Sequence, residues 1–115
     1  MPTGPDASGA AVRSQFADDP EMRELVVLFV SELPNRVDAL TTAWDERDAD
    51  ALVRLTHQMK GAAPGYGFDV LGHAAARIED RLRTADAPDA ELEKVKQDVD
   101  ALVDLCRRAI LPDAA

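Results

Sequence analysis

Cysteine is almost absent from this chain. Cys106 stands alone, so no internal disulfide can form, and with no export-type leader pattern at the N-terminus a reducing cytoplasm is the expected location. No apolar run is long enough to span a bilayer. Positive charge is also short: 13 Lys and Arg against 22 Asp and Glu give a formal net charge of -9. Such a chain is repelled by phosphate backbones and by anionic lipid surfaces, which excludes nucleic acid and membranes as expected partners. There are two histidines, with neither a His-x-x-x-His nor a Glu-x-x-His pair, so no metal site is expected. No Gly-rich nucleotide loop is present, which argues against kinase chemistry of the chain's own. No segment alternates with period two, so no strands are expected.

What is present is helical. Apolar residues make up 46% of 115 positions, enough for one domain with a real core. Residues 1–17, opening MPTGPDASGAA, carry no periodic apolar face and read as a flexible tail; residues 18–112 read as the folded domain. An initiating Met1 and a short tail lean toward a free-standing protein. Asp19-Pro20-Glu21 is a helix start, followed by Met22, Leu25, Phe29, Leu33, Val37, Leu40 and Trp44 at spacings of three and four. Pro34 removes a backbone donor and crowds the preceding turn, so a kink or a split is expected there. Asp48 caps the next helix, with Leu52, Leu55, Met59 and Ala62 or Ala63 inward, until Pro64-Gly65-Tyr66-Gly67 stops it. Asp69 is the expected cap of a third helix, with Leu71, Ala74, Ala75, Ile78 and Leu82 inward. After Asp86-Ala87-Pro88, a last helix carries Leu92, Val95, Val99, Leu102, Cys106 and Ala109 or Ile110, and Pro112 ends it. On this stripe Cys106 is a packed thiol rather than a nucleophile. The expected fold is all-α: an antiparallel four-helix bundle with an extra, Pro-kinked or split N-terminal helix.

His57 is the residue this pattern singles out. Each helical residue turns the chain by about 100°, so Leu55 and Met59 each lie about 160° from His57 by that step, and His57 sits on the polar face. Lys60 and Gly61 follow it by three and four positions and Val53 precedes it by one turn. Gly61 costs the helix roughly 1 kcal/mol relative to Ala, and in return leaves the flank of the ring open to a bulky partner. An imidazole is a nucleophile available near neutral pH, Lys60 could partly neutralise a phosphoryl group on it, and a carboxylate on its other nitrogen would fix tautomer and orientation. Glu79 and Asp80 are the candidates on the following helix, Glu79 lying beside core residue Ile78 and one turn before Arg83. His73 has no such neighbourhood and reads as plain surface.

The run His57-Gln58-Met59-Lys60-Gly61-Ala62-Ala63, with Gly67 ten residues after the histidine, resembles the histidine-containing phosphotransfer (Hpt) domain family over residues 19–111. The resemblance implies a four-helix bundle whose exposed histidine takes a phosphoryl group from a receiver aspartyl phosphate and passes it to another receiver. It implies that Glu79 hydrogen-bonds the ring, that Arg83 matches a basic position of some members, and that Lys60 and Gly61 supply charge and access. Pro64 departs from the family pattern, where a small non-proline residue is usual. The implied partners are response-regulator receiver domains, with a hybrid histidine kinase as a further candidate. The chain itself would be a monomer with no cofactor, Mg²⁺ being held by the receiver. Val53, Thr56, Gly61 and Pro64, with Val37 and Leu40 from the Leu33 to Leu40 stretch, are the expected docking contacts. A bundle that only binds, and an adaptor dimerising through the last helix, are the competing readings. The stripe on that helix spans only about three heptads, short for an independent coiled coil.

Overall fold

The structure, a computed structural model, describes residues 10–112. Helix α1 spans Arg23–Asp45, α2 Ala49–Ala62, α3 Asp69–Thr84, α4 Pro88–Glu91 and α5 Lys96–Arg108, with a single 3₁₀ turn at Ala63–Tyr66. There is no strand among the described residues, only an isolated bridge between Val12 and Ala109. No described helix is long and apolar enough to cross a membrane. The four long helices close a ring in which α1 packs on α2, α2 on α3, α3 on α5 and α5 on α1.

The apolar periodicity becomes a single core. Leu40, Leu52, Met59, Phe68, Leu71, Ile78, Leu82, Leu92 and Leu102 are fully buried, each such side chain contributing roughly 1.5–3 kcal/mol of burial. Phe29 stacks on Tyr66 at 4.8 Å and on Phe68 at 5.5 Å between ring centroids, fastening α1 to the turn that follows α2. At the other end, the Trp44 indole donates from Nε1 to the Leu92 carbonyl at 3.2 Å and lies under Arg47 and Lys96.

Several sequence expectations change. Helix α1 runs unbroken through Pro34, so it is not split. Pro34 faces solvent, where the Val30 carbonyl that loses its helical donor can be hydrated. The extra helical element is α4, near the C-terminus, rather than a second N-terminal helix. Pro88 stands at the start of α4, and turns through 92–95 lead into α5. Asp19-Pro20-Glu21 forms a turn in which Asp19 Oδ1 accepts from the Glu21 amide at 2.9 Å, and α1 begins at Arg23. Leu25 is 43% exposed while Val26 is fully buried, because the inward stripe is Val26, Phe29, Leu33, Val37 and Leu40. Asp48 does cap α2, accepting from the Ala51 amide at 3.0 Å. Asp69, by contrast, is the first residue of α3 and makes no side-chain cap; Phe68 holds the capping position. Helix α5 also buries Val103 and Leu105 beside Leu102 and Cys106, two residues beyond the expected stripe.

Residues 1–9 of the expected tail lie outside the described residues, but residues 10–17 pack on the body. The Val12 amide donates to the Arg108 carbonyl at 2.8 Å, and the Ile110 amide to the Val12 carbonyl at 3.0 Å. Ser14, also buried, donates through Oγ to the Tyr66 carbonyl at 2.7 Å. The Gln15 amide reaches the Gly67 carbonyl at 2.9 Å. This short segment therefore joins the end of α5 to the turn between α2 and α3.

Candidate functional site

That turn sets the position of the histidine helix. Helix α2 ends at Ala62, and Pro64 sits inside the 3₁₀ turn that follows. Gly67 then adopts a left-handed φ of 85°, a conformation that costs glycine little, and its amide closes the turn on the Pro64 carbonyl at 3.0 Å. The turn sends α3 back along α2, and Glu79 arrives beside His57.

The His57 side chain is 59% exposed, whereas that of Glu79 is 4% exposed. Nδ1 of His57 lies 2.7 Å from Glu79 Oε2. The same carboxylate receives Lys60 Nζ on Oε1 at 2.6 Å and Arg83 Nε on Oε2 at 2.8 Å. The Lys60 hydrogen bond, offset by burial and reinforced by Arg83 and His57, holds the Glu79 carboxyl down at about 2 rather than 4.5. Glu79 is therefore an ionised, acceptor-only group at neutral pH. It follows that Nδ1 is the nitrogen bearing hydrogen, and in a neutral ring the lone pair is left on Nε2. A Cβ placed on Gly61 would meet nothing within 4 Å, so this flank of the ring is bare. What the arrangement can do is present a solvent-facing imidazole nitrogen whose opposite nitrogen is clamped by a charged acceptor.

The geometry brings His57, Lys60, Glu79 and Arg83 together and leaves Gly61 open beside them. It does not bring in all of the expected docking residues. Thr56 is fully buried; its hydroxyl donates to the Leu52 carbonyl at 2.7 Å, which satisfies it inside the core. Val37 and Leu40 are buried in the bundle; Val37 reaches only a pocket shared with Leu33, Pro34, Cys106 and Ala109, whose lining does not include His57. Val53 and Pro64 are half-buried. Pro64 packs against Gly72, a contact the sequence reading did not anticipate. His73 is exposed, as expected. Yet it shares with His57 an open groove of about 670 Å³, whose α3 wall also carries Ala76, Arg77 and Asp80. The signal was the spacing of His73, Arg77, Asp80 and Arg83 at threes and fours on one helix; only the placement of α3 against α2 turns that spacing into a groove wall. No group of three or more potential metal-binding side chains occurs among the described residues.

A family model for the Hpt domain matches residues 24–105. The chain belongs to the Hpt domain family. This Hpt domain is similar to the phosphorelay protein LuxU of Vibrio vulnificus, in strains YJ016 and CMCP6 alike. The identity is 32% over 80 residues, which is 70% of this chain and 65% of each relative. The match thus spans less than two thirds of the relatives' own length. No solved structure matches this Hpt domain.

Proposed function

We propose that this Hpt domain is the phosphoryl carrier of a two-component phosphorelay, with His57 as phosphoacceptor. The observation that carries the reading is the pairing of His57 Nδ1 with the ionised Glu79 at 2.7 Å while the rest of the ring stands in solvent. Nε2 attacks the phosphorus of a receiver aspartyl phosphate in line. The N–P bond forms as the P–O bond to the acyl oxygen breaks, and the electron pair leaves on the receiver's aspartate. Positive charge that develops on the ring is met at Nδ1 by Glu79, which also holds the imidazole in its attacking orientation. Lys60 has further N–H donors beyond the one given to Glu79 and supplies them to the phosphoryl oxygens. The reverse displacement, by an aspartate of a second receiver, discharges the carrier.

Receiver domains, and a hybrid kinase as a further donor, are the partners of this reading. They supply the acceptor aspartate and Mg²⁺, while the Hpt domain brings neither a cofactor nor a kinase site of its own. The ring of α1, α2, α3 and α5 supports an antiparallel four-helix bundle, acting as a monomer in the cytoplasm. Gly61 supplies access, and Val53 and Pro64 the half-buried apolar part of the contact.

The test is incubation of wild type and His57→Gln with a panel of radiolabelled phospho-receivers. Wild type takes up label in an acid-labile, alkali-stable linkage, as a phosphoramidate requires. The His57→Gln chain keeps its helical circular dichroism and takes up none. Unchanged labelling of His57→Gln, or no labelling of wild type by any receiver, overturns the proposal.

A further inference from the structure

A chain with a net charge of -9 is repelled at long range by a partner whose reacting site is built from carboxylates. The groove beside His57 is a local exception. Of its lining residues, Lys60, Arg77 and Arg83 are cationic and Glu79 and Asp80 anionic, three minus two, or +1. The groove at the start of α2 is lined by Arg47 together with Glu46, Asp48, Asp50 and Asp89, one minus four, or -3. The contrast at the surface is larger than these sums, because Glu79 is buried beneath Lys60 and Arg83. Toward solvent the His57 groove therefore shows an ammonium, two guanidiniums and the His73 ring against Asp80 alone.

Arg77 differs from the other two cations. Lys60 and Arg83 both hold Glu79, whereas Arg77 is exposed and makes no ion pair with any described residue. By the helical step it lies about 160° around α3 from Glu79, on the outer edge of the groove wall. A guanidinium there takes no part in clamping the ring and is left free, at the solvent edge of the groove, to meet an acidic surface.

Resting on the phosphotransfer reading, we infer that the α3 wall of this groove is the electrostatic seat for the carboxylate-lined rim of a receiver domain. Arg77 is its rate- and specificity-determining contact, with His73 one turn before it. The seat lets an acidic carrier approach an acidic partner in one orientation, with His57 leading.

The experiment compares wild type, Arg77→Glu and Arg77→Lys in the full chain. Each is charged by phosphoramidate, a small donor that needs no docking, and separately by acetyl-phosphate-treated receiver domains over a range of salt concentrations. Arg77→Glu should be labelled by phosphoramidate at the wild-type rate. Its second-order rate constant with receivers should fall by about tenfold at low salt, with a flatter salt dependence. Arg77→Lys should recover most of that rate. Equal rates and equal salt slopes for Arg77→Glu and wild type, with both labelled by receivers, overturn the seat and leave the carrier reading standing. Wild type that accepts label from no receiver overturns the carrier reading, and the seat with it.

Discussion

The ring of Pro64 occupies the space that a side chain on Gly72 would need: a Cβ on Gly72 would lie 2.9 Å from Pro64 Cγ and 3.0 Å from Cδ. Proline at the turn and glycine on α3 thus form a matched pair that sets how closely α3 approaches the end of the histidine helix. Gly72→Ala should destabilise the fold by about 1–3 kcal/mol through overpacking, and Pro64→Ala in the same chain should return part of the loss. Urea unfolding of the two single variants and the double variant measures the coupling.

Gly61 predicts the opposite sign. A methyl group there meets nothing within 4 Å, and alanine is the better helix former, so Gly61→Ala should gain up to about 1 kcal/mol of stability. The same methyl group partly fills the open flank of His57. Transfer from phospho-receivers should slow while labelling by phosphoramidate changes less. A variant that is both more stable and unimpaired with receivers would show that the bare flank is not needed for docking.

Glu79 sets a pH dependence. Its carboxyl is held at about 2 in the folded chain against 4.5 ordinarily, first by Lys60. A depressed folded value means that the unfolded chain binds the proton more readily. The stabilisation from this group is fully present above about pH 4.5 and drains away as pH falls toward 2. Unfolding midpoints of wild type should decline through that window, and those of Glu79→Gln should decline less steeply. At neutral pH, Glu79→Gln should also lower the rate of His57 phosphorylation, because a neutral amide compensates less of the ring's developing charge.

Cys106 should be chemically quiet. It is buried on α5, and burial pushes its thiol up to about 12, with Arg36 opposing weakly. Thiolate is the reactive form, so alkylation by iodoacetamide at pH 8 should be slow in the folded chain and fast in denaturant. Fast alkylation under native conditions would mean that α5 opens locally.

Much of the site was legible because one rule governs it. The 100° helical step put His57 opposite Leu55 and Met59, while the residues alone left Glu79 and Asp80 both open as partners of the ring; the family resemblance singled out Glu79, and the structure places it 2.7 Å from Nδ1. Thr56 was missed although the same wheel places it only about 40° from the core residue Leu52. Its polar type suggested surface, and its hydroxyl's bond to the Leu52 carbonyl is invisible until the helix is built. Val37 and Leu40 could not serve both as core and as docking surface, and packing claimed them for the core. The contacts of Ser14, Gly72 and Arg77 depend on how elements meet across the fold, which periodicity along one helix does not encode. Pro34 is expected from sequence to kink or split the helix; it stands on a solvent-facing turn, and α1 continues through it unsplit.

The segment holding Val12 and Ser14 lies wholly ahead of residue 24, where the family match begins. It nevertheless supports Gly67 and Tyr66, the turn at which the His57 helix hands over to the helix that carries its carboxylate partner. Anyone who trims this chain to its family borders removes that brace, and the damage would be felt as a loosened imidazole at the far end of a lever rather than as a missing terminus.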